Sequence, residues 1–293
     1  MSNQLKTILL LGALSALLIA IGGAIGPDFL GYAVVTAAVL NLGAYFFSDR
    51  LVLAAQRAHE VTAEQAPELH AIVEELSQRA GMPKPRVYVI PQQQPNAFAT
   101  GRSPKHGVVA VTEGILQLLD ARELRGVLAH ELSHVRNRDV LISSIAAVVA
   151  AAVTYVARVA GFFGGSRRDG QGSNALQSLL LLLVAPVAAT LIQFGLSRSR
   201  EFEADHSGAE LSEDPEALAR ALEKLDAGSR ALPAQVEPAM ASLFIVNPFG
   251  AVRNVARLFS THPPTEERVR RLRAMESTGP RAPIWRSSAT TQL

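Results

Sequence analysis

The sequence predicts a mainly α protein with a small β-sheet, built as a multi-span membrane protein with four transmembrane helices. Three observations predict it. Uncharged apolar blocks occupy residues 7–26, 29–47, 140–157 and 175–196, each near the ~20 residues that a helix needs to cross a bilayer core. Short runs rich in β-branched and aromatic residues, "PRVYVIP", "NAFATG" and "GVVAVTE", read as strands. The remaining polar sequence carries amphipathic, capped helical patterns.

Composition bounds the answer. Of 293 residues, 48% are hydrophobic and 18% charged, and the mean hydropathy is +0.19. That mixture suits apolar blocks alternating with ordinary polar sequence. With 28 Lys+Arg against 26 Asp+Glu, the formal charge is only +2, so no nucleic-acid partner is expected. The chain has no cysteine, which excludes disulfides and thiolate metal sites. Lys6 precedes a run longer than a usual signal-peptide core, so an uncleaved anchor is expected.

Basic residues set the orientation. The link at residues 27–28 has no Lys or Arg, whereas 48–139 has many, which puts 48–139 in the cytoplasm. Arg167 and Arg168 in the link 161–174 run against this trend. The expected organisation is a transmembrane hairpin (1–47), a first soluble part (48–139), a second hairpin (140–196), a second soluble part (197–276) and a disordered tail (277–293). Both soluble parts then share one face and fold together.

In the first soluble part, Thr62 and Gln65 stand at capping-box spacing for one helix, with Pro67 as the other candidate start and Gly81 as its stop. Asp120 and Glu123 open another helix, on which Leu124, Val127, Leu128, Leu132 and Val135 form an apolar face. "SRSREFEADHSGAEL" continues as helix after the fourth block, Asp214 and Pro215 open the next, and "HPPTEERVRRLRAM" is the last.

The chemistry lies at His130-Glu131-Leu132-Ser133-His134. On a helix, positions i and i+4 share a face, so both imidazoles reach one ion, and Glu131 is placed to take a proton from water beside it. Zn²⁺ suits a site of three protein ligands and one open position, where it makes water nucleophilic near neutral pH and polarises a carbonyl. Without cysteine, the third ligand is a His, Asp or Glu. His134 stands ~9 Å from the third apolar block at 1.5 Å per residue, and this helix is expected to enter the block without a break. A ligand returned by the fourth block then lies just beyond residue 196, which favours Glu201, with Asp205 one turn on as acceptor for a ligand imidazole. The other reading is an exposed Glu/Asp pair balancing Arg198 and Arg200.

Together, "HELSH", "REFEAD", "PNAFATG" and "STHPPTEERVRRL", with two membrane hairpins, resemble the HtpX membrane metalloproteases, relatives of the CAAX prenyl proteases. The resemblance implies a cytoplasmic zincin-like (gluzincin) catalytic domain holding one catalytic Zn²⁺, in a multi-pass protein of the bacterial inner membrane. It implies His130, His134 and Glu201 as ligands, Glu131 as catalytic base and Asp205 as support. The implied partners are the lipid bilayer and misfolded or damaged membrane proteins with unfolded cytoplasmic segments. His206 falls outside the pattern and reads as a surface residue or a polar neighbour of the site.

Weaker signals remain. "GVVAVTEGIL" is either the edge strand on which an extended substrate pairs or an interior strand. Asn96, by the resemblance, holds a substrate main-chain group, or else shapes a turn. His262, Arg198 and Arg200 are candidate oxyanion stabilisers. The alternative class is a non-catalytic zinc-binding membrane adaptor or chaperone-like subunit. Glu131 weighs against it, since a structural zinc site needs no base.

Overall fold

The computed structural model describes residues 26–146, 198–231, 243–246 and 263–278, together with single positions between 5 and 23. The helix α1 (Pro27–Ala55) is apolar all round, the pattern of a helix surrounded by nonpolar material. Among the described residues it is the one helix long and apolar enough to cross a membrane. Its outward side chains include Tyr32 and Val35, 74% and 63% exposed. The described positions between 5 and 23 are also helical. Asn41 of α1 donates to Ser15 Oγ (2.6 Å) and to Leu11 O (3.2 Å), a polar clasp of the kind that joins helices in lipid. Of the other apolar blocks, 140–146 is helical. Residues 147–157 and the whole block 175–196 lie outside the described residues, as does the tail beyond 278.

After α1 the chain forms β1 (His59–Glu60), α2 (Pro67–Arg79), β2 (Arg86–Ile90), β3 (Ala97–Thr100) and β4 (Val108–Thr112). The two-residue β1 is too short to leave a periodic signal. Helix α2 starts at Pro67, and the Gln65 side chain accepts from Thr62 N ahead of it. Gly81 stops it at φ 64°, a left-handed conformation that glycine adopts at little cost.

The sheet order is β1-β2-β4-β3, with β2 and β4 parallel and both outer pairs antiparallel. Strand β4 is therefore interior, which decides between the two readings of "GVVAVTEGIL" in favour of the interior strand. All five residues of β4 are buried, and an uninterrupted apolar run suits a strand covered on both faces. The edge beside the site is β3.

Next come α3 (Glu113–Leu118), α4 (Ala121–Arg136), α5 (Arg198–Ser212), α6 (Pro215–Ala231) and α7 (Thr265–Thr278). A capping box starts α4: Asp120 Oδ1 accepts from Arg122 N and Glu123 N, and Glu123 Oε2 accepts from Asp120 N. Asp214 caps α6 through Ala217 N. The apolar face of α4 is buried against α2, α6 and the sheet in one core. Helices α4 and α5 meet at Gly208, where an added Cβ would lie 2.8 Å from both Cα and N of His130.

The expectation that α4 continues unbroken into the apolar block is corrected. The helix ends at Arg136. Arg138 turns left-handed at φ 59°, Asp139 N donates to His134 O, and Arg138 N donates to Val135 O. This is a Schellman ending without its usual glycine. A new helix begins at Val140. The break folds the Asp139 side chain back over the last turn of α4, onto His134.

Candidate metal centre

Positions 130 and 134 lie one turn apart on α4, with imidazole centroids 4.8 Å apart and the rings at right angles. Each ring has one nitrogen engaged from behind. His130 Nδ1 lies 3.0 Å from Asp205 Oδ1, and His134 Nδ1 lies 3.2 Å from Asp139 Oδ2. The two Nε2 atoms are thereby left facing Glu201, at 3.8 Å from Oε2 for His130 and 3.6 Å from Oε1 for His134. One atom from each of His130, His134 and Glu201 lies within 4.8 Å of the others, a set that could hold a metal ion. Tetrahedral zinc with ligands at ~2.0–2.2 Å places its donors about 3.3 Å apart, so these residues fit such an ion with small adjustments.

Glu131 stands beside them. Its Oε2 accepts from Ala99 N at 2.9 Å, which fixes the carboxylate against the edge strand β3. The cleft in front is lined by Phe98, Ala99, Arg200 and the stretch 243–245.

Behind the three-residue set is a second layer of charge. Arg268 of α7 is buried and grips Asp205 with two bonds, Nε to Oδ2 at 2.8 Å and Nη2 to Oδ1 at 2.7 Å. Its Nη1 donates to Ile245 O at 2.7 Å. Asn96 also serves that stretch: its Oδ1 accepts from Ile245 N (3.1 Å) and its Nδ2 donates to Leu243 O (3.4 Å). The carboxamide is thus buried and bonded to the cleft wall. Thr112 Oγ1 accepts from Asn96 N, tying the residue to β4.

The protein alone leaves this cluster electrostatically strained. Burial pushes the Glu131 carboxyl up to about 7, with Glu201 adding to the rise against the pull of His134. Burial also lowers His130. For His134 burial acts downward, yet the Asp139 hydrogen bond and the charges of Glu201 and Glu131 prevail and raise it to about 9. Burial would raise Asp205, but Arg268 overrides it and holds the carboxyl at about 2. Carboxylates and imidazoles packed this way suit a divalent cation, whose charge reverses the local preferences.

Other sequence candidates fall elsewhere. His206 is exposed, 3.2 Å from Glu210, and Arg198 is exposed at the start of α5. Arg200 is buried on the cleft, 3.6 Å from Asp139 Oδ1. His262 lies outside the described residues. Sequence reasoning missed Asp139, Gly208 and Arg268. Arg268 had a legible signal: it shares a helix face with Leu272, four residues on, and an arginine on a buried face requires a carboxylate partner.

A helix-borne His-Glu-x-x-His set, joined by a glutamate from a second helix and backed by oriented carboxylates, defines a metallopeptidase. Comparison with known proteins agrees. A model of peptidase family M48 matches residues 63–276, and the chain belongs to that family. A "Protease HtpX homolog" of Syntrophobacter fumaroxidans is 51% identical over 283 residues, covering 94% of this chain and 100% of that protein. Its counterpart in Paraburkholderia phytofirmans is 48% identical, covering 95% and 99%. The crystal structure of S. mikatae Ste24p has the same fold at a TM-score of 0.50 and 18% identity, spanning 92% of this chain and 65% of that one. The protein is thus an HtpX-type membrane metalloprotease of mainly helical fold with a small mixed sheet.

Proposed function

We propose that the protein is a membrane-embedded zinc endopeptidase that cuts misfolded or damaged membrane proteins at the cytoplasmic face of the bacterial inner membrane. The reading has four membrane spans, two hairpins before and between the soluble parts, with one catalytic Zn²⁺ held by His130, His134 and Glu201. The observation that carries it is the convergence of both imidazole Nε2 atoms on Glu201, with Glu131 anchored alongside. When bound, zinc supplies Lewis acidity toward water and toward a carbonyl.

The chain's own residues do the rest. Glu131 takes a proton from the attacking water as the new C–O bond forms. It returns that proton to the amide nitrogen as the C–N bond breaks, so that an amine leaves. The Ala99 N–H keeps the carboxylate aimed at the cleft. Asp205 and Asp139 hold the two imidazoles in the tautomer that presents Nε2. Asn96 supports catalysis by bracing the cleft wall at 243–245. Position supports the substrate class: the helix that starts at Val140, one residue past Asp139, is the expected third span, so the cleft lies next to the bilayer surface. A loosened cytoplasmic segment of a membrane protein meets the site at that depth.

Zinc content and casein cleavage in detergent-purified wild type, Glu131→Gln and Glu201→Ala test the reading. Wild type is expected to carry one zinc and cut. Glu131→Gln keeps the metal and loses ~10²–10⁴-fold in rate, and Glu201→Ala loses the metal. Full cleavage by Glu131→Gln would sink the assignment of the base, and unchanged zinc in Glu201→Ala would sink the ligand set.

A further inference from the structure

The cations of this protein are unevenly satisfied. Among the described residues away from the apolar helices, most arginines are paired, Arg57 and Arg220 excepted: Arg122 at the start of α4 lies 2.6 Å from Asp214, Arg125 lies 2.9 Å from Glu75, and Arg273 lies 3.0 Å from both Glu216 and Glu223. Arg50, Arg102, Lys105, Arg136, Arg138 and Arg198 form no ion pair with a carboxylate among the described residues, and all but the half-buried Arg102 are exposed.

These six lie where the apolar helices leave the catalytic domain. Arg102 stacks over the Phe46 ring of α1 at 5.7 Å, and Arg50 over Phe47 at 5.6 Å. Tyr45 and Ala44, beside them, pack against Leu141, Ile142, Ile145 and Ala146 of the helix that begins at Val140. Arg136 and Arg138 flank the break directly before that helix. Lys105 sits in the loop whose Gly107 abuts Val135, a Cβ there lying 3.1 Å from Val135 Cγ1. Arg198 opens α5, whose Arg200 reaches the same break through Asp139 at 3.6 Å. The carboxylates nearby are engaged: Asp49 lies 3.5 Å from Arg86, and Asp139 is buried on His134.

We propose that these six cations form a collar that binds the phosphates of net-anionic phospholipid head groups and seats the cleft against the bilayer. A cation left without a protein partner, at the level where aromatic rings meet water, has the headgroup phosphate as its natural counter-charge. Arginine matches that oxyanion with paired N–H donors while its planar face rests on phenylalanine. Each such cation adds to the attraction of an anionic leaflet, and the effect decays within a Debye length. The inference rests on the membrane setting of the family and not on the zinc chemistry.

Native mass spectrometry of the full chain in non-ionic detergent tests it, with phosphatidylglycerol and phosphatidylcholine of identical acyl chains offered in equal amounts. Wild type is expected to retain phosphatidylglycerol in roughly tenfold preference. R102Q/R138Q/R198Q should fall to near parity, R102K/R138K/R198K should keep most of the preference, and R122Q/R273Q should keep all of it. No preference in wild type, or an undiminished one in the Gln triple variant, overturns the proposal. Equal losses in the Lys and Gln triples overturn it too, since charge would not be the cause. A preference abolished by excess inorganic phosphate would mark a free-phosphate site instead and likewise refute lipid binding. Bound lipid is counted without any cleavage, so failure here leaves the protease assignment standing, and the reverse also holds.

Discussion

Arg268 holds both carboxylate oxygens of Asp205, at 2.8 and 2.7 Å, and neither side chain reaches solvent. Asp205 in turn stands 3.0 Å from His130 Nδ1, so a residue of the last described helix controls the orientation of an imidazole on α4. Removing one member of a buried pair leaves the other charge uncompensated, at about 3–5 kcal/mol. Arg268→Met is expected to destabilise the protein by that order and to weaken zinc binding. Arg268→Lys should recover only part, because an ammonium cannot bridge two oxygens in the same plane. Denaturant unfolding in mild detergent, with zinc content measured alongside, checks both.

Gly208 makes a purely steric prediction. A methyl at this position would meet backbone atoms of His130 at 2.8 Å, and backbone cannot rotate away as a side chain can. Gly208→Ala is therefore expected to cost about 1–3 kcal/mol and to push α5, with Glu201, away from α4. A matching fall in zinc affinity measured by chelator competition would show that helix separation sets the ligand geometry. Wild-type affinity in this variant would contradict that.

Asp139 offers a test of the break after α4. Its carboxylate orients His134, and orienting partners of ligand imidazoles contribute ~10–100-fold in metal affinity. Asp139→Asn should lose zinc affinity within that range while keeping its far-ultraviolet circular dichroism, whereas Ser143→Ala, one turn into the next helix, should change little.

Zinc affinity should also depend on pH in a defined direction. His134 is raised to about 9 in the metal-free protein, and a ligand imidazole must be neutral. Between about pH 7 and 9 each pH unit should therefore tighten zinc roughly tenfold, as one proton is displaced. Stability of the metal-free protein runs the other way. A histidine whose folded pKa exceeds its unfolded value stabilises fully below 6.5, and that contribution is lost as pH rises through about 9. Chelator titrations and thermal melts across this range measure the two slopes.

Much of the local structure was legible in the chain. Asp120 with Glu123, Asp214 with Pro215, and Gly81 act through neighbours within three or four residues, so their effect is written in short sequence windows. The His130/His134 pair needs only helical spacing. Strand β4 was legible as a strand but not as interior or edge, since that depends on which other strands flank it.

What the sequence determined by itself was the set of elements, the apolar blocks and the residue types able to hold a metal, because helix period, capping and hydrophobicity are local properties. Only the tertiary structure decided that α4 breaks at Arg138 so that Asp139 reaches His134, that a glycine lets α5 bring Glu201 against the two imidazoles, and that one arginine among Arg268, Arg270, Arg271 and Arg273 is buried on Asp205. Those relationships join residues far apart in the sequence, among them His130 with Gly208 and, 63 positions apart, Asp205 with Arg268. Their physical basis is close packing and the need to pair every buried charge, and neither can be evaluated until the helices are in place.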